Sequence, residues 1–365
     1  MDVILEVQEV RDNEMMSASD ILRLVHNKNK HYCGGRELDR FRGIPSDTDD
    51  NRPEAWVGSV TRVLGEDGEA GLARAQTPGG ATPLVRDLIA ADPEGYLGAR
   101  HIGRWGNEPA LLVKLLDAGA PLTLQCHPTR ELAHALFASE YGKEESWYVL
   151  SVRQDAPEPP HIVLGFREDV SPDAFAACYR RGDIAGLLAM CHTIPVTPGE
   201  MYIVPPGVPH AIGGGCLLVE TQEPCDITVF AVRERNADPE AALRCFDYTG
   251  RTAAENAARF RVPPRTLRRE SGGEETLLLG PCHTDCFSVT RLAVSGALRH
   301  RATGALGVAI VTGGDGSVRW DRGCLSLRRG DELLIPARVQ RAEWVSDGME
   351  VVICHPPSAV HEIIA

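Results

Sequence analysis

At 365 residues the chain is longer than a single hydrophobic core usually supports, so one compact domain is not the expected arrangement. Its 43% hydrophobic and 24% charged residues are those of an ordinary globular protein, while 36 Gly and 25 Pro imply many turns and a β-rich architecture. Thirty-eight basic against 51 acidic side chains give a formal charge of −13 with no basic run to offset it, which argues against nucleic acid and anionic membranes as partners.

The opening MDVILEVQEV carries acids and has no basic start before an apolar stretch, and nowhere do 18 apolar residues run together. Eleven cysteines, an odd number without small-scaffold spacing, read as reduced thiols rather than a disulfide framework. A soluble cytoplasmic protein is the expectation.

Along the chain, residues 66 to 101 read as an insertion between sheet segments, with Leu84, Leu88 and Ile89 at helical spacing. ALLVKLLDAGAPLTLQCH follows as an apolar run, a turn over 117–121, and a strand that carries Thr123, Gln125 and His127 on one face. ESWYVLSV and EMYIVP are strands by their aromatic and β-branched content. Between them, DAFAACYRRGDIAGLLAMC has the period of one or two short amphipathic helices, and DPEAALRCF through TAAENAARF forms a second helical stretch. VPPRTLRR then reads as a linker, which places a domain boundary near residue 265 and divides the chain into 1–265 and 266–365.

A short repeat supports two copies of one unit. GEMYIVPPGVPH from Gly199 aligns without gaps with GDELLIPARVQR from Gly330, each a Gly-acid turn, an apolar strand and a Pro-opened turn. In antiparallel barrels such a pattern occurs once per barrel, so the repeat implies two barrels. The residue aligned with His210 is Arg341, so any metal held by His210 belongs to the first copy alone.

Gln125 and His127, two apart on a strand, point into the same space, and Glu145 and His210 come from other strands. Nitrogen and carboxylate donors with an amide oxygen suit an open catalytic metal site better than a closed structural one, which favours thiolates. On spacing alone, a Gln-x-His pair in a strand is more often a hydrogen-bonded pair than a ligand set.

LTLQCHP, GKEESWYVL, PPGVPHAIGGGCLLVETQEPCDIT and LLVKLLDAG resemble, in order and spacing, segments of the type I mannose-6-phosphate isomerases, particularly the shorter bacterial ones. GGRELDRF and PEAWVGS are similar to that family's opening segments, through Gly34, Gly35, Glu54, Trp56 and Ser59, and FSVTRLAVSG through LRRGDELLIPA is similar to its second barrel. The resemblance implies a mainly β fold of two cupin (jelly-roll) barrels, with a few helices inserted in and between them. It implies one Zn2+ per chain, or another divalent metal, on Gln125, His127, Glu145 and His210, and active-site lysines Lys114 and Lys143. Thr123 occupies a position where the family has Ser or Thr near the substrate. The implied reaction interconverts mannose 6-phosphate and fructose 6-phosphate through an enediolate, whose charge a metal and lysines offset. Glu220, Asp226, Lys143 and the metal-bound water are candidates for the acid or base, Lys114 is catalytic beside them, and Thr123, Lys143 and Arg233 are the substrate-binding residues.

One position departs. The family places an Arg where this chain has Phe230 in CDITVFAVRE, although Asp226 and Thr228 are kept. Arg233 or Arg235 could fold back to bind substrate; otherwise an isomerase or epimerase of another, unphosphorylated sugar, or a sugar-binding protein without catalysis, is the alternative. The remaining clusters have plain readings: GPCHTDCF, Cys191 with His192 and Cys354 with His355 as structural residues, Gly213 to Gly215 as a turn, and RTLRRE as a solvated linker face. Trp147 and Tyr148 alternate across their strand, one toward a core and one toward an opening.

Overall fold

A computed structural model of the chain describes residues 18–364; the opening MDVILEVQEV lies outside the described residues. The fold is mainly β, built from four antiparallel sheets with short helices inserted between strands. A six-stranded sheet runs in the order Arg261–Val262, Met201–Val204, Glu145–Val152, Cys216–Gln222, Leu112–Ala118, Glu54–Val57. A five-stranded sheet, in the order Val229–Phe230, Gln125–Cys126, His210–Ile212, His161–Phe166, Cys191–Pro195, packs against it through Leu116, Trp147, Val149, Leu164, Ile212 and Leu218.

The second half repeats this plan. Gly273–Leu279, Ser288–Val294, Met349–His355, Gly307–Gly313 and Glu332–Ile335 are neighbours in one eight-stranded sheet, and Ala297–Arg299, Ala342–Val345, Asp315–Trp320 and Gly323–Arg328 make the facing four-stranded sheet. The repeat near Gly199 and Gly330 falls on the corresponding strands Met201–Val204 and Glu332–Ile335. Among the described residues the paired sheets remain separate, and no ladder closes either pair into a continuous barrel.

The two large sheets lie back to back. Leu115, Tyr148, Ile203 and Val219 from the first meet Val308, Ile310, Leu334 and Val352 from the second in one apolar layer. That layer includes Leu22 and Leu24, because the strand Leu22–Leu24 leaves the N-terminal half and pairs antiparallel with Glu332–Ile335, Leu22 opposite Leu334. It carries Ala75–Gln76 on its other edge.

Most of the expected elements are present. The insertion forms three short helices, Val85–Ala91, Pro93–Leu97 and Ala99–Trp105, the break between the first two made by Asp92, whose carboxylate caps the Gly95 amide ahead of Pro93. The stretch over 172–189 divides at Gly182, whose positive φ ends Pro172–Arg181 before Ile184–Ala189 begins. The linker reading of RTLRR is corrected: Arg265–Glu270 is the edge strand of the eight-stranded sheet, and its charges face partners across the ladder, Arg268 on Glu275 and Arg269 on Glu274. Charged side chains are how an exposed edge avoids further pairing, and they give an edge strand the composition of a linker.

All eleven cysteines are free thiols. Among the described residues no helix is long and apolar enough to cross a membrane.

Candidate metal centre and active site

The site lies between the two sheets of the first half. Gln125 sits on a two-residue strand, directly opposite His210 on one side and Phe230 on the other, and His127 follows one residue beyond the strand end. Glu145 opens the long strand Glu145–Val152 of the facing sheet. That strand start is propped from outside: Glu223 accepts the Glu144 amide at 3.1 Å and is itself held by Arg130 at 2.7 Å.

His127 Nδ1 donates to the Ile227 carbonyl at 3.0 Å, and His210 Nδ1 to the Val208 carbonyl at 2.9 Å. These bonds fix both rings in the tautomer whose Nε2 lone pair is bare, the arrangement found behind metal-ligating imidazoles. The two bare Nε2 atoms are 3.2 Å apart, and Glu145 reaches them at 3.1 Å from His127 and 3.5 Å from His210. Lone pairs that converge so closely repel unless a cation is near, a part the Lys143 ammonium takes at 2.9 Å from His127 Nε2 and a divalent ion could take for all three donors. Gln125 places its amide nitrogen 3.3 Å from His210 Nε2, and turning the amide over would bring its oxygen into the set. Among the described residues, His127, Glu145 and His210 are the one group of three His, Cys, Asp or Glu side chains suited to a metal ion. Burial holds His127 neutral, its pKa pushed down to about 3, and lowers that of His210 as well. Burial opposes the charge on Glu145, but Lys143 and His127 outweigh it and keep the carboxyl well below its usual range. Two neutral imidazoles, a carboxylate and an amide oxygen suit a divalent cation.

A buried chain of alternating charge runs inward from this centre. Lys143 Nζ is 2.9 Å from His127 Nε2, 2.8 Å from Glu145 and 3.7 Å from Glu220. Glu220 meets Lys114 at 3.2 Å, and Lys114 meets Glu54 at 3.5 Å, with its ammonium 4.9 Å from the Trp56 ring centre. Glu54 accepts from the Tyr32 hydroxyl and from Trp56 Nε1, each at 2.8 Å. Burial and the nearby Glu145 raise the Glu220 pKa against the pull of Lys114 and Lys143.

Asp226 is placed differently. It is bound to Lys30 at 2.7 Å and to the Leu64 amide at 2.9 Å, so it ties the segment before the insertion to the site wall. Arg233 is exposed in a single 3₁₀ turn, Arg233–Arg235, and its field acts on Tyr179 and Glu240. Arg235 is the arginine that turns to the site: its guanidinium carbon is 3.3 Å from the Phe230 ring centre, and Nη1 donates to Thr123 Oγ1 at 3.2 Å. Trp147 turns its edge to His210 at 5.5 Å between ring centres, while Tyr148 packs between the large sheets.

Sequence reasoning missed Lys30 and Tyr32, which sit in a segment without periodicity, and of the two arginines it named Arg233 for the substrate, whereas Arg235 is the one that reaches Thr123. Gly34 and Gly35 have a structural reason. A Cβ on Gly34, at φ +152, would stand 1.9 Å from the Asp117 carbonyl oxygen, and Asp117 accepts the amides of Gly35 and Glu37 at 2.8 Å.

The two halves can be compared by register. Glu145 pairs with Val204, and Gly307 pairs with Ile335 on the repeated strand. Lys114 pairs with Glu220, whereas the corresponding pair is Thr290 with Ile353. Gly307, Thr290, Ile353 and Arg341 thus stand where the first half has Glu145, Lys114, Glu220 and His210.

The chain is similar to known proteins along most of its length. Residues 23–148 match the family model described as phosphomannose isomerase type I, catalytic domain. The mannose-6-phosphate isomerase of Streptococcus mutans is 29% identical over 343 residues, covering 92% of this chain and 98% of the relative. Mannose-6-phosphate isomerase ManA of Bacillus subtilis is 28% identical over 231 residues, 63% of this chain and 70% of the relative. Among solved structures, the mannose 6-phosphate isomerase of Bacillus subtilis is similar in fold at a TM-score of 0.71 and 20% identity, covering 92% of this chain and 99% of that one. A putative mannosephosphate isomerase from Archaeoglobus fulgidus reaches a TM-score of 0.73 at 19% identity, covering 94% and 99%. Over residues 23–148 the chain is similar to the type I phosphomannose isomerase catalytic domain, and the relatives it resembles along most of its length are sugar isomerases.

Proposed function

We propose that the chain interconverts mannose 6-phosphate and fructose 6-phosphate at a single divalent metal, zinc in the first instance, held by Gln125, His127, Glu145 and His210. The observation that carries this reading is the pair of bare Nε2 atoms 3.2 Å apart, each fixed by a carbonyl behind it, with Glu145 in reach. When bound, the metal supplies Lewis-acid polarisation of the sugar's carbonyl and hydroxyl oxygens.

The chain's own residues do the rest. Isomerisation takes a proton from C2 of the open-chain sugar and returns one to C1, leaving negative charge on O1 and O2 in the enediolate between. Lys143 borders the ligands and Lys114 lies one carboxylate further in, so two ammonium groups face the region where that charge develops. Glu220, between them and raised in pKa, is the group we assign to carry the proton, with Lys143 as its alternate. The charges at this buried site are prepaid by folding and need not reorganise during the reaction.

We further propose that each pair of sheets is a cupin jelly roll. Residues 1–265 form the metal-bearing unit and 266–365 a repeat without ligands, since Gly307 and Arg341 replace Glu145 and His210. A second reading, an unphosphorylated sugar as substrate, is favoured by the apolar Phe230 ring opposite Gln125.

The test is proton exchange. Enzyme with zinc in deuterated water, given mannose 6-phosphate, should form fructose 6-phosphate and place deuterium at the exchanged carbon, and should stop on chelation and resume on adding zinc. Tight binding without deuterium incorporation for any aldose tried would refute an isomerase.

A further inference from the structure

The loop after Phe230 is fastened more firmly than a connector requires. Asn236 accepts the Phe230 amide at 3.1 Å, and its Nδ2 donates to the Phe230 carbonyl at 2.7 Å, to the Val232 carbonyl at 3.0 Å and to the Tyr179 hydroxyl at 3.0 Å. The 3₁₀ turn Arg233–Arg235 is spanned by these bonds. Its last residue extends over the Phe230 ring, 3.3 Å from guanidinium carbon to ring centre, and reaches Thr123 Oγ1 at 3.2 Å. Phe230 and Gln125 are direct cross-strand partners, and such partners share a face, so the ring lies on the same face as Gln125, with the exposed guanidinium of Arg235 over it.

Three facts set Arg235 apart from a solvated arginine. It has no carboxylate within ion-pair distance among the described residues, in a chain with 51 acidic side chains. Phe230 and Thr123 hold its plane and one nitrogen, leaving Nε and Nη2 with donors to offer. Its burial is partial, enough to lower its pKa by desolvation while the side chain stays exposed at the rim. A guanidinium stacked on an aromatic ring with a free edge is prepared to bind two oxygens of one anion side by side.

We propose that Arg235 anchors the phosphate of a sugar phosphate at this site, with Phe230 as its platform and Thr123 fixing its rotation. The inference rests on the metal-centred isomerase reading. It assigns the phosphate to the rim, because the sugar's reacting end must reach Glu145 and the imidazoles, all buried, while Arg235 stands at the opening. An apolar Phe230 is then compatible with a phosphorylated substrate, since the ring positions the cation.

The experiment uses the full-length zinc enzyme as wild type, Arg235→Ala, Arg235→Lys and Phe230→Leu, with zinc content and melting temperature measured on each. Calorimetric titration with inorganic phosphate is run beside steady-state kinetics on mannose 6-phosphate and on mannose. Arg235→Ala should raise the phosphate Kd and the KM for mannose 6-phosphate by about tenfold to a hundredfold, the range for a lost charge-assisted hydrogen bond. Preference for the phosphorylated over the free sugar should fall in step. Arg235→Lys, which keeps the charge but loses the fork, and Phe230→Leu, which loses the platform, should fall between. Phosphate Kd and KM within twofold of wild type in Arg235→Ala would overturn the proposal, and so would a fall in kcat alone. If wild type binds phosphate through Arg235 yet does not turn over mannose 6-phosphate, the anchor stands and the isomerase reading fails.

Discussion

Lys114→Met is the sharpest test of the buried charge chain. Lys114 is 3% exposed and lies 3.2 Å from Glu220 and 3.5 Å from Glu54. At an effective dielectric of about 20, each contact is worth about 5 kcal/mol of Coulomb attraction, most of it offset by the desolvation of three charges. Methionine matches the length and removes the charge, so the net loss is that of breaking a buried pair, about 3–5 kcal/mol. The loss should depend on pH. Glu220 already titrates above its ordinary value, from burial and the nearby Glu145, and removing Lys114 raises it further. A carboxyl whose folded pKa exceeds its unfolded one stabilises the fold below the unfolded value of about 4.3 and loses that contribution as pH rises through the folded value. The gap between wild type and variant should therefore be wider at pH 8 than at pH 5, when followed by urea unfolding on the metal-free proteins. Turnover of mannose 6-phosphate on the zinc-loaded variant should fall with metal content intact. A destabilisation under about 1 kcal/mol, or one equal at both pH values, would refute the view that this lysine holds two carboxylates in place.

His127→Ala and Glu145→Ala should each lose the metal, so that elemental analysis finds well under one zinc per chain where wild type holds one. Gly34→Ala should destabilise by at least about 2 kcal/mol in urea unfolding, because a Cβ at φ +152 meets the Asp117 carbonyl at 1.9 Å. In the second half, burial pushes His300 down to about 4 and His355 down to about 3. Above pH 6.5 these rings are neutral in both states; as pH falls only the unfolded chain takes up protons, so stability drops, by about 3 kcal/mol by pH 4 through His300 alone. His300→Gln should flatten that part of the stability-versus-pH curve.

The cluster of His127, Glu145 and His210 was legible because strand parity fixes where alternate side chains point, and because the resemblance supplied the partners from distant strands. The repeat was legible because a turn glycine and a strand-ending proline keep their spacing when the intervening residues drift. Arg265–Glu270 was not, since an edge strand that guards itself with charge has the composition of a linker. Lys30 and Asp226 meet across almost two hundred residues, and no local pattern marks such a pair. Arg235 over Arg233 was decided by Asn236, whose side-chain bonds set the turn's direction, and a lone Asn gives no sign of that in sequence.

The strand Leu22–Leu24 gives this enzyme an order of assembly. Its partner, Glu332–Ile335, is roughly 310 residues further along the chain and is made long after it during synthesis. Until that segment arrives, Leu22 and Leu24 have no ladder and the layer between the large sheets lacks one wall. The first half must therefore wait, its outer face wet, for the second, and this long-range closure is the step expected to limit the folding rate.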